Sequence, residues 1–135
     1  MIRRAVITHL RQNVPSLQGR VYQAFMVDVQ QEPRPYATVK IVPGGASTRI
    51  SYAGHDEIEV RIYDDREDFT DLDAIVDEVI RALHGRYVED PETGQKYEVT
   101  WVPGVLDFTD DFVKLDRQLI GRLVRFRAAS LYERG

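Results

Sequence analysis

The sequence predicts an α+β fold, a mainly antiparallel sheet with two helices packed on it. Two adjacent stretches carry most of that prediction. From Glu57 to Tyr63, the apolar Ile58, Val60 and Ile62 alternate with Glu57, Glu59 and Arg61. Successive side chains of a strand point to opposite faces, so this is a strand with one wet and one buried face. Beyond an acidic turn, Leu72, Ile75, Val76, Val79, Ile80 and Leu83 recur at helical spacing and make one apolar stripe. A strand and a helix joined by a short turn bury both greasy faces when the helix lies across a sheet. Other alternating segments supply the remaining strands.

Composition narrows the class. A chain of 135 residues with 43% apolar and 30% charged residues has the balance of one soluble globular domain, spanning 1–135. No apolar run is long enough to span a membrane, and Met1-Ile2-Arg3-Arg4 lacks the apolar core of a secretory signal. The absence of cysteine removes disulfides, thiolate metal sites and cysteine nucleophiles together. A net charge of −4 gives no global bias toward nucleic acid. Its distribution is uneven: acid gathers from Asp56 to Glu78 and from Asp107 to Asp116, base at Arg117, Arg122, Arg125 and Arg127. Opposite patches let a molecule complement a copy of itself, although ordinary solvated faces explain the same pattern.

In chain order, Ile2, Val6 and Leu10 make a short helical stripe over residues 2–13, ended by Asn13 and Pro15. His9 reads as a polar residue at the border of that helix. Residues 17–22 lead through a turn into a β-rich segment from Val21 to about Val29. Pro33 and Pro35 mark a turn, since a central strand cannot hold them. Tyr36–Val42 is the second strand, expected antiparallel to the first. Pro43–Gly54 contains a glycine pair but no Gly-Lys-Ser/Thr ending that opens a helix, so a phosphate loop is not indicated. It reads as a protruding loop or hairpin and a contact candidate.

The helix after the acidic turn has Thr70 to cap its first amides, Asp71 and Asp73 at its positive end, Arg81 and His84 at its negative end, and Gly85 to end it in the left-handed conformation. The turn itself, Asp64 to Asp68, lacks the central glycine and spacing of a calcium loop. Arg86–Val88 is a candidate short strand, followed by a strong turn at Asp90–Gln95. Lys96–Val102 alternates, with Tyr97, Val99 and Trp101 on one face, and Pro103-Gly104 is expected to break it. Val105–Phe112 has no clean period and reads as a loop or irregular edge. From Leu119 to Leu131, Ile120, Val124, Phe126 and Ala128 share a core parity broken by Arg122, while Arg125 and Arg127 lie on the other face.

No motif for chemistry emerges. His9, His55 and His84 are isolated and lack the helical partner spacing of a metal site, and no serine sits in a nucleophile elbow. An enzyme is therefore not expected, and neither is a cofactor. Arg122, Arg125 and Arg127 could form a basic face with Phe126, but Phe126 has the core parity, so a subunit salt-bridge surface or solvated strand is the simpler reading.

Taken in order and spacing, these strings resemble the tail completion, or tail terminator, proteins of long-tailed bacteriophages and prophages. The residues that carry the resemblance are the opening helix, Leu17-Gln18-Gly19-Arg20-Val21-Tyr22, Pro35-Tyr36-Ala37-Thr38-Val39, the strand from Glu57 to Asp64, the helix from Leu72 to Leu83 and the strand from Arg122 to Phe126. Together they span nearly the whole chain. The resemblance implies a structural virion subunit that forms a homo-oligomeric ring, commonly a hexamer. Such a ring caps the tail tube protein, stops its polymerisation and offers a surface to the head connector or completion protein. It implies assembly in the host cytoplasm and a final place at the head-proximal end of the virion tail, with no membrane partner and with DNA met only in passage through the lumen.

The ring contacts are physical expectations. Arg122, Arg125 and Arg127 are candidates for the subunit interface or lumen, facing Asp64, Asp65, Asp68 or Asp110 of the next subunit. Gly44, Gly45, Ser47, Thr48, Arg49 and Tyr52 of the protruding loop are candidates for contact with tube or connector. The alternatives are a head–tail connector or neck subunit and, in a different class, a small α+β ligand-binding domain or enzyme built around a deep pocket.

Overall fold

A computed structural model describes residues 2–24, 35–42, 55–64, 70–112 and 117–130, with residues 55, 105–112, 117–120 and 130 described by their backbone course. The elements run α1 (Ile2–Asn13), a 3-10 turn (Pro15–Leu17), β1 (Val21–Gln23), β2 (Tyr36–Val42), β3 (His55–Asp64), α2 (Thr70–Leu83), β4 (Arg86–Glu89), β5 (Lys96–Phe112) and β6 (Arg117–Ser130). The strands form one six-stranded sheet in the order β1-β2-β3-β6-β5-β4. All neighbouring pairs are antiparallel except β1 with β2. This is the expected α+β class.

Both helices cover one face. Ile2, Ala5, Val6 and Leu10 of α1 and Leu72, Ile75, Val76, Val79 and Leu83 of α2 are buried against the sheet. The sheet contributes Val39, Ile58, Val60, Ile62, Val99, Val124, Phe126 and Ala128 to the same core. Register places Ile58 opposite Phe126, and Val60 opposite both Val39 and Val124, so the apolar positions of adjacent strands fall in line on the helix side. Each such side chain, withdrawn from water, stabilises the fold by about 1.5–3 kcal/mol before entropy is charged against it. Among the described residues no helix is long and apolar enough to cross a membrane.

The helix ends follow the local chemistry. Asp71 and Asp73 occupy the first turn of α2 and Arg81 its last, as its dipole favours. Gly85 takes φ +69° and its N–H donates to the Val99 carbonyl at 2.9 Å, so the chain leaves the helix directly into β4.

Two sequence expectations are corrected. The first pair of strands is parallel: Val21 aligns with Ala37 and Gln23 with Val39. Parallel neighbours need a connection of about a dozen residues or more, which stretch 24–35 has the length to supply. Alternation in the sequence specifies which face is wet, but it carries no strand direction. The expected extension of the first strand toward Val29 lies outside the described residues.

The second correction concerns Pro103-Gly104, which does not end its strand. β5 continues to Phe112 through a register shift between Val102 and Val105. A bulge leaves a residue out of the ladder, and there proline's missing N–H costs no hydrogen bond. Gly104, at φ +119°, supplies a conformation that side-chain-bearing residues rarely adopt. Residues 105–112, expected to be a loop or an irregular edge, form the outer half of a long hairpin with β6, closing at Phe112 opposite Arg117.

Candidate functional site

The face of the sheet turned away from the helices carries alternating charge. Lys40 of β2 lies opposite Glu59 of β3, which lies opposite Arg125 of β6; one step along, Glu57 lies opposite Arg127. Arg61 completes the set, its Nη1 3.1 Å from Glu59 Oε2. Glu59, with only 17% of its side chain exposed, therefore sits among three cations of its own chain. Opposite charges in cross-strand register are the ordinary way a wet sheet face is stabilised.

The sequence-predicted cluster of arginines is divided by this geometry. Arg125 and Arg127 share the helix-free face. Arg122 stands on the other side, opposite the buried Ile62, and its Nη2 reaches Asp73 Oδ1 of α2 at 2.8 Å. Its place in the core parity has a physical explanation, since it spans the gap between sheet and helix with an apolar stem and a paired head.

The predicted acidic partners are also redistributed. Asp64 ends β3 opposite Ile120, is 3% exposed, and shares the parity of Ile58, Val60 and Ile62. It is inside the subunit and is not offered to a neighbour. Asp110 lies opposite Leu119 in the outer hairpin. Asp65 and Asp68 lie outside the described residues, as do Gly44, Gly45, Ser47, Thr48, Arg49 and Tyr52. The carboxylates that do face Arg125 and Arg127, Glu59 and Glu57, were visible in the sequence as the wet side of β3. Only the register shows that they meet β6.

Three further features were not anticipated. Tyr36 and Tyr63 stack at 4.9 Å between ring centroids, with Tyr22 6.4 Å from Tyr36. They form an aromatic cluster on the helix-free side where β1, β2 and β3 run side by side, with Tyr36 fully buried at its centre. Its signal was the tyrosine parity in three separate strands, which needs the register to be read.

The second is a cleft of about 390 Å³ between the helices, lined by His9, Asn13, Glu78, Arg81, Ala82 and Arg86. His9 Nε2 lies 2.7 Å from the Ala82 carbonyl and ties α1 to α2 as a donor, which gives this border residue a structural task.

The third is a groove of about 510 Å³ beside α1 at the β1 edge, lined by Arg3, Arg4, Ile7, Thr8, Arg11 and Gln23. The spacing of Arg3, Ile7 and Arg11 is one helical stripe and was available from the sequence. Arg11 donates from Nε and Nη2 to the Val21 carbonyl at 3.0 and 2.8 Å. Arg4 makes a bidentate pair with Asp90, both contacts at 2.7 Å, and reaches Glu92 at 2.8 Å. That hydrogen-bonded guanidinium holds the Asp90 carboxyl well below the usual carboxylate range.

Among the described residues, no three His, Cys, Asp or Glu side chains converge as a metal site would require. What the geometry presents at the surface is a charge-alternating sheet face and a basic groove.

Comparison with known proteins gives one kind of likeness. No protein-family model matches the chain, and no curated protein sequence matches it. Among solved structures, the chain is similar to a chain of the virion of a native gene transfer agent particle. The TM-score is 0.65 and the identity 19%, over 94% of this chain and 93% of that one. The likeness covers both chains almost end to end, so it concerns the whole arrangement of two helices on a six-stranded sheet.

Proposed function

We propose that this chain is a structural virion protein of a long-tailed phage or phage-derived particle. In this reading its subunits close into a ring on the tail tube, stop the tube's polymerisation and present the surface to which the head is joined. The single observation that carries the reading is the end-to-end fold likeness to a gene transfer agent virion chain. The tail-terminator resemblance of the sequence selects the finer role within a virion. The contact surfaces support it, because an assembly protein works through the shape and charge of its outside.

Growth of a tube stops when the last ring offers the next tube subunit no tube-like face. A heterologous interface closes into a ring when the rotation per subunit divides a full turn. Arg125 and Arg127 are placed in this reading at the subunit contact or lumen wall, with residues 43–54 meeting tube or connector. The test is binding of the purified chain to isolated phage-type tails and to filled heads, viewed by electron microscopy. Annular caps on tails that block further tube growth support the terminator role. Binding to filled heads alone would move the subunit to the neck side of the joint, and binding to neither would refute the reading.

A further inference from the structure

We propose that the groove between α1 and the β1 edge receives the acidic outer half of β5 from a second copy of this chain. The proposal rests on the ring reading above and names the contact that would build it.

The receiving side is basic and incompletely satisfied. The groove lining holds three guanidinium groups and no carboxylate among the described residues. Arg4 is engaged by Asp90 and Glu92, and Arg11 spends two of its N–H atoms on Val21. Arg3 Nε is withdrawn from solvent and has no acceptor among the described residues. A buried donor without an acceptor is costly, and a carboxylate arriving from outside would relieve that cost. Beside the groove, β1 is the terminal strand of the sheet, so its outer edge has no strand partner among the described residues. Ile7, half-buried at the groove floor, adds an apolar footing.

The inserting side has matching properties. β4 pairs with β5 only from Lys96 to Val99, whereas β5 runs on to Phe112. Its outer half therefore has β6 on one side and no strand on the other among the described residues. Residues 105–112 read Val-Leu-Asp-Phe-Thr-Asp-Asp-Phe, with Asp107, Asp110 and Asp111 as their only charged groups. An extended segment with an open edge, acid and aromatics suits a basic groove that borders another open edge.

Position completes the case. Arg4 ties the groove to the Asp90 turn that leads into β5, whereas residues 105–112 lie at the far end of that long strand. Two complementary surfaces separated in this way on one subunit join head to tail. That interface is heterologous, the type that generates a ring when it closes.

The chain has no cysteine, so introduced thiols report contacts without background. Gln23→Cys at the groove rim and Asp111→Cys on β5 are made as separate full-length proteins, mixed, and treated with a short bis-maleimide. Thr8→Cys serves as a second groove position. The expected result is a crosslinked dimer containing one of each variant, its yield reduced at least tenfold when Arg3→Glu and Arg11→Glu are added to the groove protein. Circular dichroism confirms that this variant folds. Assembled rings without a groove–β5 crosslink at either groove position would overturn the contact and leave the ring reading standing. A yield unaffected by Arg3→Glu and Arg11→Glu would overturn its electrostatic basis. A chain that stays monomeric, with or without tails, and gives no crosslink would remove both readings.

Discussion

Arg122 of β6 and Asp73 of α2 meet across the sheet–helix boundary, Nη2 to Oδ1 at 2.8 Å. This contact turns one of three neighbouring arginines away from the other two and commits it to holding α2 on the sheet. Asp73 is 64% exposed, so solvent screens the pair. Asp73→Ala should cost no more than about 1 kcal/mol in urea unfolding. It should also leave the mass of any assembly unchanged in light scattering, whereas a change in assembly mass would return Arg122 to the subunit contact.

Arg125 and Glu59 stand opposite one another on the helix-free face. Arg125→Glu would set two carboxylates face to face and is expected to destabilise the fold by about 0.2–1 kcal/mol. Arg125→Gln removes the charge without facing Glu59 with a second carboxylate, so it should be less destabilising than Arg125→Glu. Equal losses for the two variants in urea unfolding would show that a positive charge opposite Glu59 is not what Arg125 supplies there. Assembly mass read on Arg125→Gln separates stability from subunit contact: a ring that needs the Arg125 charge for a neighbour is lost although the fold is retained.

The pair formed by Arg4 and Asp90 makes stability depend on acid. Asp90 ionises more readily in the folded protein than in the unfolded chain, because Arg4 donates to both its oxygens. A depressed folded pKa contributes stability that is complete above the unfolded carboxyl value of about 4 and is lost as pH falls below it. The thermal midpoint of Asp90→Asn should therefore lie below that of the unmodified protein at neutral pH. The difference should shrink on acidification below about pH 4, and a difference constant through that range would show that the pair is not ionic.

Phe126 lies at the centre of the core, fully buried opposite Ile58 and Trp101. Phe126→Ala removes its contacts and leaves a cavity that the flanking strands cannot fill. Its expected cost is about 3–5 kcal/mol in urea unfolding. A loss under about 1 kcal/mol would mean that β6 is not the middle strand of the packed layer.

Periodicity made much of this architecture readable in advance. The apolar stripe from Leu72 to Leu83 and the alternation from Glu57 to Tyr63 became α2 and β3 with small boundary differences, because burial demands that spacing. Direction was not readable: the β1 and β2 segments alternate the same way whether parallel or antiparallel. Pro103-Gly104 carried a signal that fits both a strand end and a bulge, and only pairing with β6 distinguishes them. The candidate surface was less readable than the fold. Parity put Arg125 and Arg127 on a common face, yet their opposite numbers Glu59 and Glu57 come from a strand 66 to 70 residues earlier in the chain. The arginine stripe on α1 was present in the sequence, but its groove needs β1 beside it.

The account turns on association, and the mass of the purified chain in solution, alone and with isolated tails, tests it most directly. The predicted result is a closed oligomer of fixed stoichiometry, seen as annular particles in the electron microscope. A strict monomer that neither forms rings nor caps tails at any concentration would contradict the account.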